Sequence, residues 1–281
     1  MSAIRRPKNR ARVSHPSRVI VQGFAGAIAV GTGLLMLPWS RATGESAPFE
    51  DALFTATSAV CVTGLATVDT GTYWSGFGQA VILLLIQVGG LGIMTMATLI
   101  VVLLSRRLGL RTRLVAQAET KSLTGSDVRR VVKNVVLFSL GTELIVAAIL
   151  AMRFWAVYSF DFGAALYQGV FHSISAFNNA GFSTNSDSLT RYSADPLILI
   201  AVAVAVIVGG IGFPVVFELA RSWRAPRTWS VLTRITVIVT AALLALGMLV
   251  YLLAESGNPQ TLGPLSDPNK LLNAFFAGVM P

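Results

Sequence analysis

Five stretches of this chain are each long enough and apolar enough to cross a lipid bilayer, and they dictate most of what it can fold into. They run Arg18–Pro38, Gly76–Leu104, Val131–Trp155, Leu197–Phe217 and Ile235–Ala254. A spanning helix needs about 20 mostly apolar residues at 1.5 Å each. Each stretch is apolar around its whole circumference, so each expects lipid or protein on all sides. The second exceeds a single crossing, and Gly89, Gly90 and Gly92 mark where it is expected to tilt or break. With 54% hydrophobic and only 12% charged residues, the 281-residue chain is an all-α membrane protein rather than a soluble or disordered one.

The net charge of +9 is sorted by position. Residues 1–18 hold Arg5, Arg6, Lys8, Arg10, Arg12 and Arg18. Residues 105–133 hold Arg106, Arg107, Arg111, Arg113, Lys121, Arg129, Arg130 and Lys133. Residues 221–234 hold Arg221, Arg224, Arg227 and Arg234. Only Arg41, Arg153, Arg191 and Lys270 lie on the alternate connections, so 18 of the 22 basic residues fall on one side. Cytoplasmic loops carry such an excess, which places the N-terminus inside a multi-pass protein of the cell membrane. The basic blocks therefore read as topology signals and lipid headgroup contacts rather than as a nucleic-acid face. One cysteine, Cys61, and two histidines, His15 and His172, exclude a disulfide and a cysteine- or histidine-rich metal site within the chain. No nucleophile–base set or phosphate loop points to an enzyme.

The outer connections are not ordinary loops. Residues 48–70 and 163–185 each open on about a dozen apolar, helix-compatible residues, too short to span, and then pass through a glycine. Such segments are more often re-entrant than spanning. Aligning Gly64 with Gly181 places Phe54 on Phe171, Ser58 on Ser175 and Ala59 on Ala176. Val88-Gly89-Gly90-Leu91-Gly92 in turn resembles Val208-Gly209-Gly210-Ile211-Gly212. A parallel repeat of helix, re-entrant loop and helix follows. The expected organisation is a basic cytoplasmic tail (1–17), repeat 1 (18–104), a cytoplasmic loop (105–130), repeat 2 (131–220), a second cytoplasmic loop (221–234) and an incomplete third repeat (235–281). In that third copy Phe275 falls on Phe54 and Phe171, and the chain is expected to be a fragment with its third glycine beyond Pro281.

Irregular backbone at membrane depth is tolerated only where protein buries it or it lines a water-filled path. A short helix entering from outside aims the negative end of its dipole at the membrane centre, where a cation is favoured. The returning carbonyls can replace an ion's hydration shell. Glu143, inside the third apolar stretch, is a possible intramembrane polar site. It is expected to face the bundle interior as an interhelical hydrogen-bonding group, with ion coupling as the sharper reading. Tyr73, Trp74 and Trp155 lie near span ends, as interfacial anchors do. His172 is expected to pack or hydrogen-bond, and Phe182 to pack behind the loop.

The segments TSAVCVTGL, QVGGLGIMT and FHSISAFNNAGFSTNSDSL resemble the Trk/Ktr/HKT superfamily of potassium transporters, with the Ktr-type membrane subunit as the nearest kind. The resemblance implies tandem helix–pore loop–helix repeats around one potassium-channel-like pore, about two and a half of four being present here. It implies that Val62, Thr63 and Gly64, with Asn179, Ala180 and Gly181, form two quarters of a selectivity filter. Cys61 and Asn178 would lie on its cavity side. Gly64, where sodium-preferring plant members carry serine, implies potassium. No cofactor is implied; potassium is the implied transported ion and the only metal, with sodium as a second candidate ion. The implied partners are a second copy in a homodimer and a cytosolic nucleotide-binding regulatory ring of the KtrA/TrkA kind, docking on the basic loops. Two further readings stay open: a sodium- or proton-coupled symporter working through Glu143, and a non-conducting membrane subunit.

Overall fold

The computed structural model describes residues 16–108 and 125–280; the tail at 1–15 and the 109–124 part of the first basic loop lie outside the described residues. Ten α-helices follow in order: α1 (Pro16–Leu35), α2 (Phe49–Val60), α3 (Thr70–Tyr73), α4 (Gly76–Leu108), α5 (Gly125–Val157), α6 (Phe162–Phe177), α7 (Pro196–Ile211), α8 (Phe213–Ser222), α9 (Val231–Glu255) and α10 (Asp267–Val279). Three short 3-10 turns complete the regular structure, and no strand occurs among the described residues.

The helix starts are written in local chemistry. Asp69, Asp161, Asp195 and Ser230 each offer a side-chain oxygen to the first free N–H groups of α3, α6, α7 and α9. Pro196 sits in the first turn of α7, where its missing N–H is no loss. Glu50 and Asp51 lie in the first turn of α2, favourably placed for its dipole.

Stretches Gly76–Thr98, Arg129–Val157 and Val231–Glu255 are long and apolar enough to cross a membrane, and α7 with α8 makes a fourth if the bent pair counts as one span. Within the first apolar stretch, Val21–Leu35 is a shorter apolar helix. α9 turns its apolar side chains outward, with Val231 and Leu253 about three-quarters exposed, as a lipid-facing helix would.

Two expectations are corrected. Of the tilt or break expected at Gly89, Gly90 and Gly92, the break does not occur, since α4 runs through them unbroken. The break lies instead in the stretch expected as one span, Leu197–Phe217, where α7 and α8 meet at 105°. Both stretches carry the same glycine pattern, but only Gly212 is followed two residues later by a proline. Pro214 disfavours helical backbone just before it, and Gly212 takes φ +88. Trp74 is also not an interfacial anchor. It is 1% exposed and packs edge-on against Tyr73, whereas Trp155 is exposed.

Two cores organise the helices. One gathers Leu35, Ala52, Ala56, Val60, Ile82 and Ile86 from α1, α2 and α4, and takes in Phe171, Ala180 and Phe182 from the second loop region. The other joins Val146, Leu150, Phe154, Phe177, Ile198 and Val202 from α5, α6 and α7. Inside a bilayer, apolar burial alone drives little association, and small residues that let backbones approach do more. A Cβ on Gly89 would overlap the Val60 carbonyl oxygen, and one on Gly209 would overlap that of Phe177. α4 and α7 therefore lie directly on the C-terminal ends of α2 and α6. At the C-terminal end of α5, Arg153 Nε donates to Asp195 Oδ2 at 2.8 Å and Tyr158 Oη donates to the same oxygen at 3.0 Å.

Gly89→Ala and Gly209→Ala are expected to lower thermal stability in detergent by about 1–3 kcal/mol through overpacking. Gly33→Ala and Gly141→Ala, which meet nothing within 4 Å, should be neutral or slightly stabilising. A second test concerns pH. Burial works to raise the Asp195 carboxyl, but the bonds from Arg153, Tyr158 and the Ile198 N–H outweigh it and hold it below its usual 3.8. Its contribution is therefore complete above pH 3.8 and is lost as pH falls through the lower native value. Melting midpoints of Asp195→Asn should lose the part of the acid dependence seen below about pH 4.

Candidate ion-pathway site

The short helices α2 and α6 stop inside the molecule, and the chain after each folds back on the helix it has left. Cys61 N–H donates to Thr57 O at 2.9 Å, Val62 to Ala59 O at 3.3 Å, and Thr63 to Ser58 O at 2.9 Å. The same three bonds recur 117 residues later: Asn178 to Ile174 O at 3.1 Å, Asn179 to Ala176 O at 3.0 Å, and Ala180 to Ser175 O at 2.7 Å. The backbone repeats too. Val62 and Asn179 have φ +57 and +56, and Gly64 and Gly181 have φ +72 and +74.

The glycines take a left-handed conformation at no steric cost. Asn179 tolerates it, and its amide, turned so that N faces Val206 O (3.0 Å) and O faces Gly210 N (3.2 Å), is anchored on α7. Val62 is the unfavourable case, since a β-branched residue there is a genuine outlier that costs about 1–3 kcal/mol. The two loops also touch. A Cβ on Gly64 would overlap the Ala180 carbonyl oxygen and lie 3.1 Å from the Gly181 Cα.

The electrostatics favour a cation. The N–H groups of residues 61–63 and 178–180 are spent on the helices behind them. Among the described residues no hydrogen bond is donated to the carbonyls of 61–64 or 178–181. The negative ends of α2 and α6 point into the same region. Beside them opens a cavity of about 400 Å³, lined by Cys61, Val62, Asn178 and Asn179, by Gly90, Gly209 and Gly210, and by Met94, Thr98, Leu232 and Thr236 on the helices beyond. All eight residues expected to form the filter and its inner edge thus lie in two adjoining loops. Cys61 and Asn178 are the helix-capping residues at their bases.

Glu143 is 4% exposed and sits next to one of those caps. Gln87 Nε2 donates to both of its oxygens (3.0 and 3.2 Å), and Asn178 Nδ2 donates to Oε1 at 3.2 Å. Asn178 Nδ2 also reaches Gln87 Oε1 at 3.3 Å. The carboxylate thus ties α4 and α5 to the end of α6. Its pairing with Gln87, 56 residues away, had no signal in the sequence beyond the polarity of both groups in apolar stretches. His172, buried, lies with Nδ1 2.9 Å from Gln168 O and Nε2 3.0 Å from Ser183 Oγ. Phe182 is buried, and its carbonyl accepts from Ser175 Oγ at 2.7 Å.

Comparison with known proteins gives the family and the fold. The family model of TrkH, a cation transport protein, matches residues 2–256. The Ktr system potassium uptake protein B of Bacillus subtilis (strain 168) is 44% identical over 95% of this chain and 59% of its own length. The protein of the same name from Vibrio alginolyticus is 38% identical over 96% and 58%. The potassium/sodium uptake protein NtpJ of Enterococcus hirae is 34% identical over 99% and 60%. The crystal structure of the potassium transporter TrkH from Vibrio parahaemolyticus superposes with a TM-score of 0.66 at 18% identity, covering 98% of this chain and 52% of that one. The chain therefore shares that fold and spans about three-fifths of the length of these curated relatives. It belongs to the TrkH family of cation transport proteins.

Proposed function

We propose that the chain forms part of a potassium uptake path across the cell membrane, with residues 62–64 and 179–181 supplying two sides of a selectivity filter. The observation that carries this reading is the inverted use of the backbone in the two loops: N–H groups turned to the helices behind, carbonyls left available, helix C-termini alongside. Carbonyl dipoles in such an arrangement can replace water around a monovalent cation. The names of the Ktr relatives support potassium, and that of NtpJ keeps sodium as a second ion.

The organisation follows the same reading. Residues 18–104 and 131–220 form two helix–loop–helix units, 235–281 belong to a third, and 1–17, 105–130 and 221–234 face the cytoplasm. The matching bonds 117 residues apart support the first two units, and the 18 basic residues on alternate connections support the orientation. α10 occupies the stretch read as the third short helix. A homodimer on a cytosolic nucleotide-binding regulatory subunit is the assembly we propose, because the Ktr relatives are named as components of a system.

Glu143 is read as a packing group rather than a coupling site, since both its oxygens are occupied by amide donors from neighbouring elements. A full-length protein of the relatives' length that contains residues 1–281 should restore growth at low potassium in a potassium-uptake-deficient bacterial strain, whereas residues 1–281 alone should not conduct. Gly64→Ser should raise sodium uptake relative to potassium, because serine at φ +72 would strain the loop and press on the Ala180 carbonyl. An unchanged ion preference would remove Gly64 from the filter. Glu143→Gln should leave the proton-gradient dependence of uptake unaltered. Glu143→Leu should destabilise the protein by a few kcal/mol, since each buried donor left unpaired costs about 1–3 kcal/mol. Loss of gradient-driven uptake in the glutamine variant would restore the coupling role.

A further inference from the structure

The outgoing strand of each loop carries a threonine three residues past its glycine, and each threonine reaches back to the short helix that began the loop. Thr67 Oγ1 donates to Asp51 Oδ1 on α2 at 2.9 Å. Thr184 Oγ1 donates to Gln168 Oε1 on α6 at 2.6 Å. Thr67 and Thr184 are 117 residues apart, and so are Asp51 and Gln168, the spacing that relates Gly64 to Gly181. The threonine is therefore the same in both units. The partner differs in charge and length but presents the same group, a side-chain oxygen that accepts.

These bonds are the outer counterpart of the backbone bonds at the loop base. Residues 61–63 and 178–180 are tied to the helix by N–H groups, and the threonines tie the chain again at the far side. The segment between the two ties contains the glycine; among the described residues 64–66 make no hydrogen bond to their own helix, whereas in the second loop Phe182 O also accepts from Ser175 Oγ at 2.7 Å. A loop whose carbonyls must match one ion radius better than another needs both of its ends held. The second unit adds a further tie, Asn185 N–H to Ser183 Oγ at 3.0 Å, with Ser183 Oγ also 3.0 Å from His172. The first has no counterpart, because Ala66 stands where Ser183 falls. The Thr67–Asp51 bond thus carries more of the restraint in its loop than the Thr184–Gln168 bond does in the other.

We propose that Thr67 and Thr184 are positioning residues for ion discrimination, clamping the outgoing strands to α2 and α6 through Asp51 and Gln168, with the first clamp the more consequential. The proposal rests on reading these loops as the ion path. Two measurements on the whole protein test it: the ratio of potassium to sodium KM in uptake-deficient cells, and hydrogen–deuterium exchange of the 61–70 and 178–187 peptides in detergent with potassium, sodium or choline chloride. Thr67→Val should lower the potassium preference roughly threefold or more, the scale of one lost hydrogen bond. It should also abolish the slower exchange of 61–70 expected in potassium relative to sodium. Thr184→Val should do the same to 178–187, but less. Thr67→Ser and Asp51→Asn, which keep a donor and an acceptor, should retain both properties, while Asp51→Leu should behave as Thr67→Val.

Valine variants with unchanged KM ratio and unchanged ion-dependent exchange would overturn the proposal. So would faster exchange with an unaltered ratio, which would make the bonds merely structural. If the unsubstituted protein took up no potassium, the transport reading would be the one at fault. The exchange arm would then decide the clamp alone: loss of potassium-specific protection in Thr67→Val upholds it, and its persistence overturns it.

Discussion

A helix that ends inside a membrane leaves its last carbonyls without partners, in a medium where each unpaired group is costly. Everything at the centre of this protein follows from how α2 and α6 meet that constraint. The chain beyond each helix doubles back and gives its N–H groups to the final turn. The neighbouring helix then closes over the end so tightly that only glycine fits at the contact, Gly89 over Val60 and Gly209 over Phe177. With the donors consumed inward, the next carbonyls are left facing a region into which two helix dipoles also point. One solution to a hydrogen-bonding problem thus yields a surface suited to cations.

That surface is strained, and the strain is held from several directions. Val62 keeps a left-handed backbone that a branched side chain resists, in a loop pressed against its counterpart at Gly64 and Ala180. A Cβ on Gly71 would likewise overlap the Thr184 carbonyl oxygen, so the segment after the first loop braces the second. Beneath them the Gln87–Glu143–Asn178 cluster joins three helices to the base of one loop. A buried carboxylate is expensive in apolar surroundings, and here its cost is offset by three amide contacts that fix a capping residue. Neither loop has a shape independent of the other.

Much of this was legible beforehand, and the reasons differ by element. Gly64 and Gly181 could be found because an αL turn needs glycine and because the surrounding residues repeat. Three of the five expected spans, and a fourth as a bent pair, were visible because a bilayer demands a fixed length of apolar chain. The kink was misplaced because glycines alone do not break a helix. Pro214 does, and it was the residue that distinguished Gly212 from Gly92. Trp74 was misjudged because position near a span end says nothing about which way a ring turns. The left-handed Val62 had no local cue, since nothing about valine foretells a conformation that only its neighbours impose. The partner of Glu143 was equally hidden, as contacts between α4, α5 and α6 depend on how the helices rotate against one another.

The 105° bend between α7 and α8 has a counterpart in α4 that stays straight, although both helices seal a loop base in the same manner. Channels assembled from identical subunits cannot do this, for any change in one wall is copied to all. Here the two matching units lie in one chain and can differ from one another. Proline at position 214 goes with the bend in one unit, while its counterpart, with Met94 in the equivalent place, stays straight. Division of labour between the two units, with one helix straight and the other jointed, is then open to selection one codon at a time.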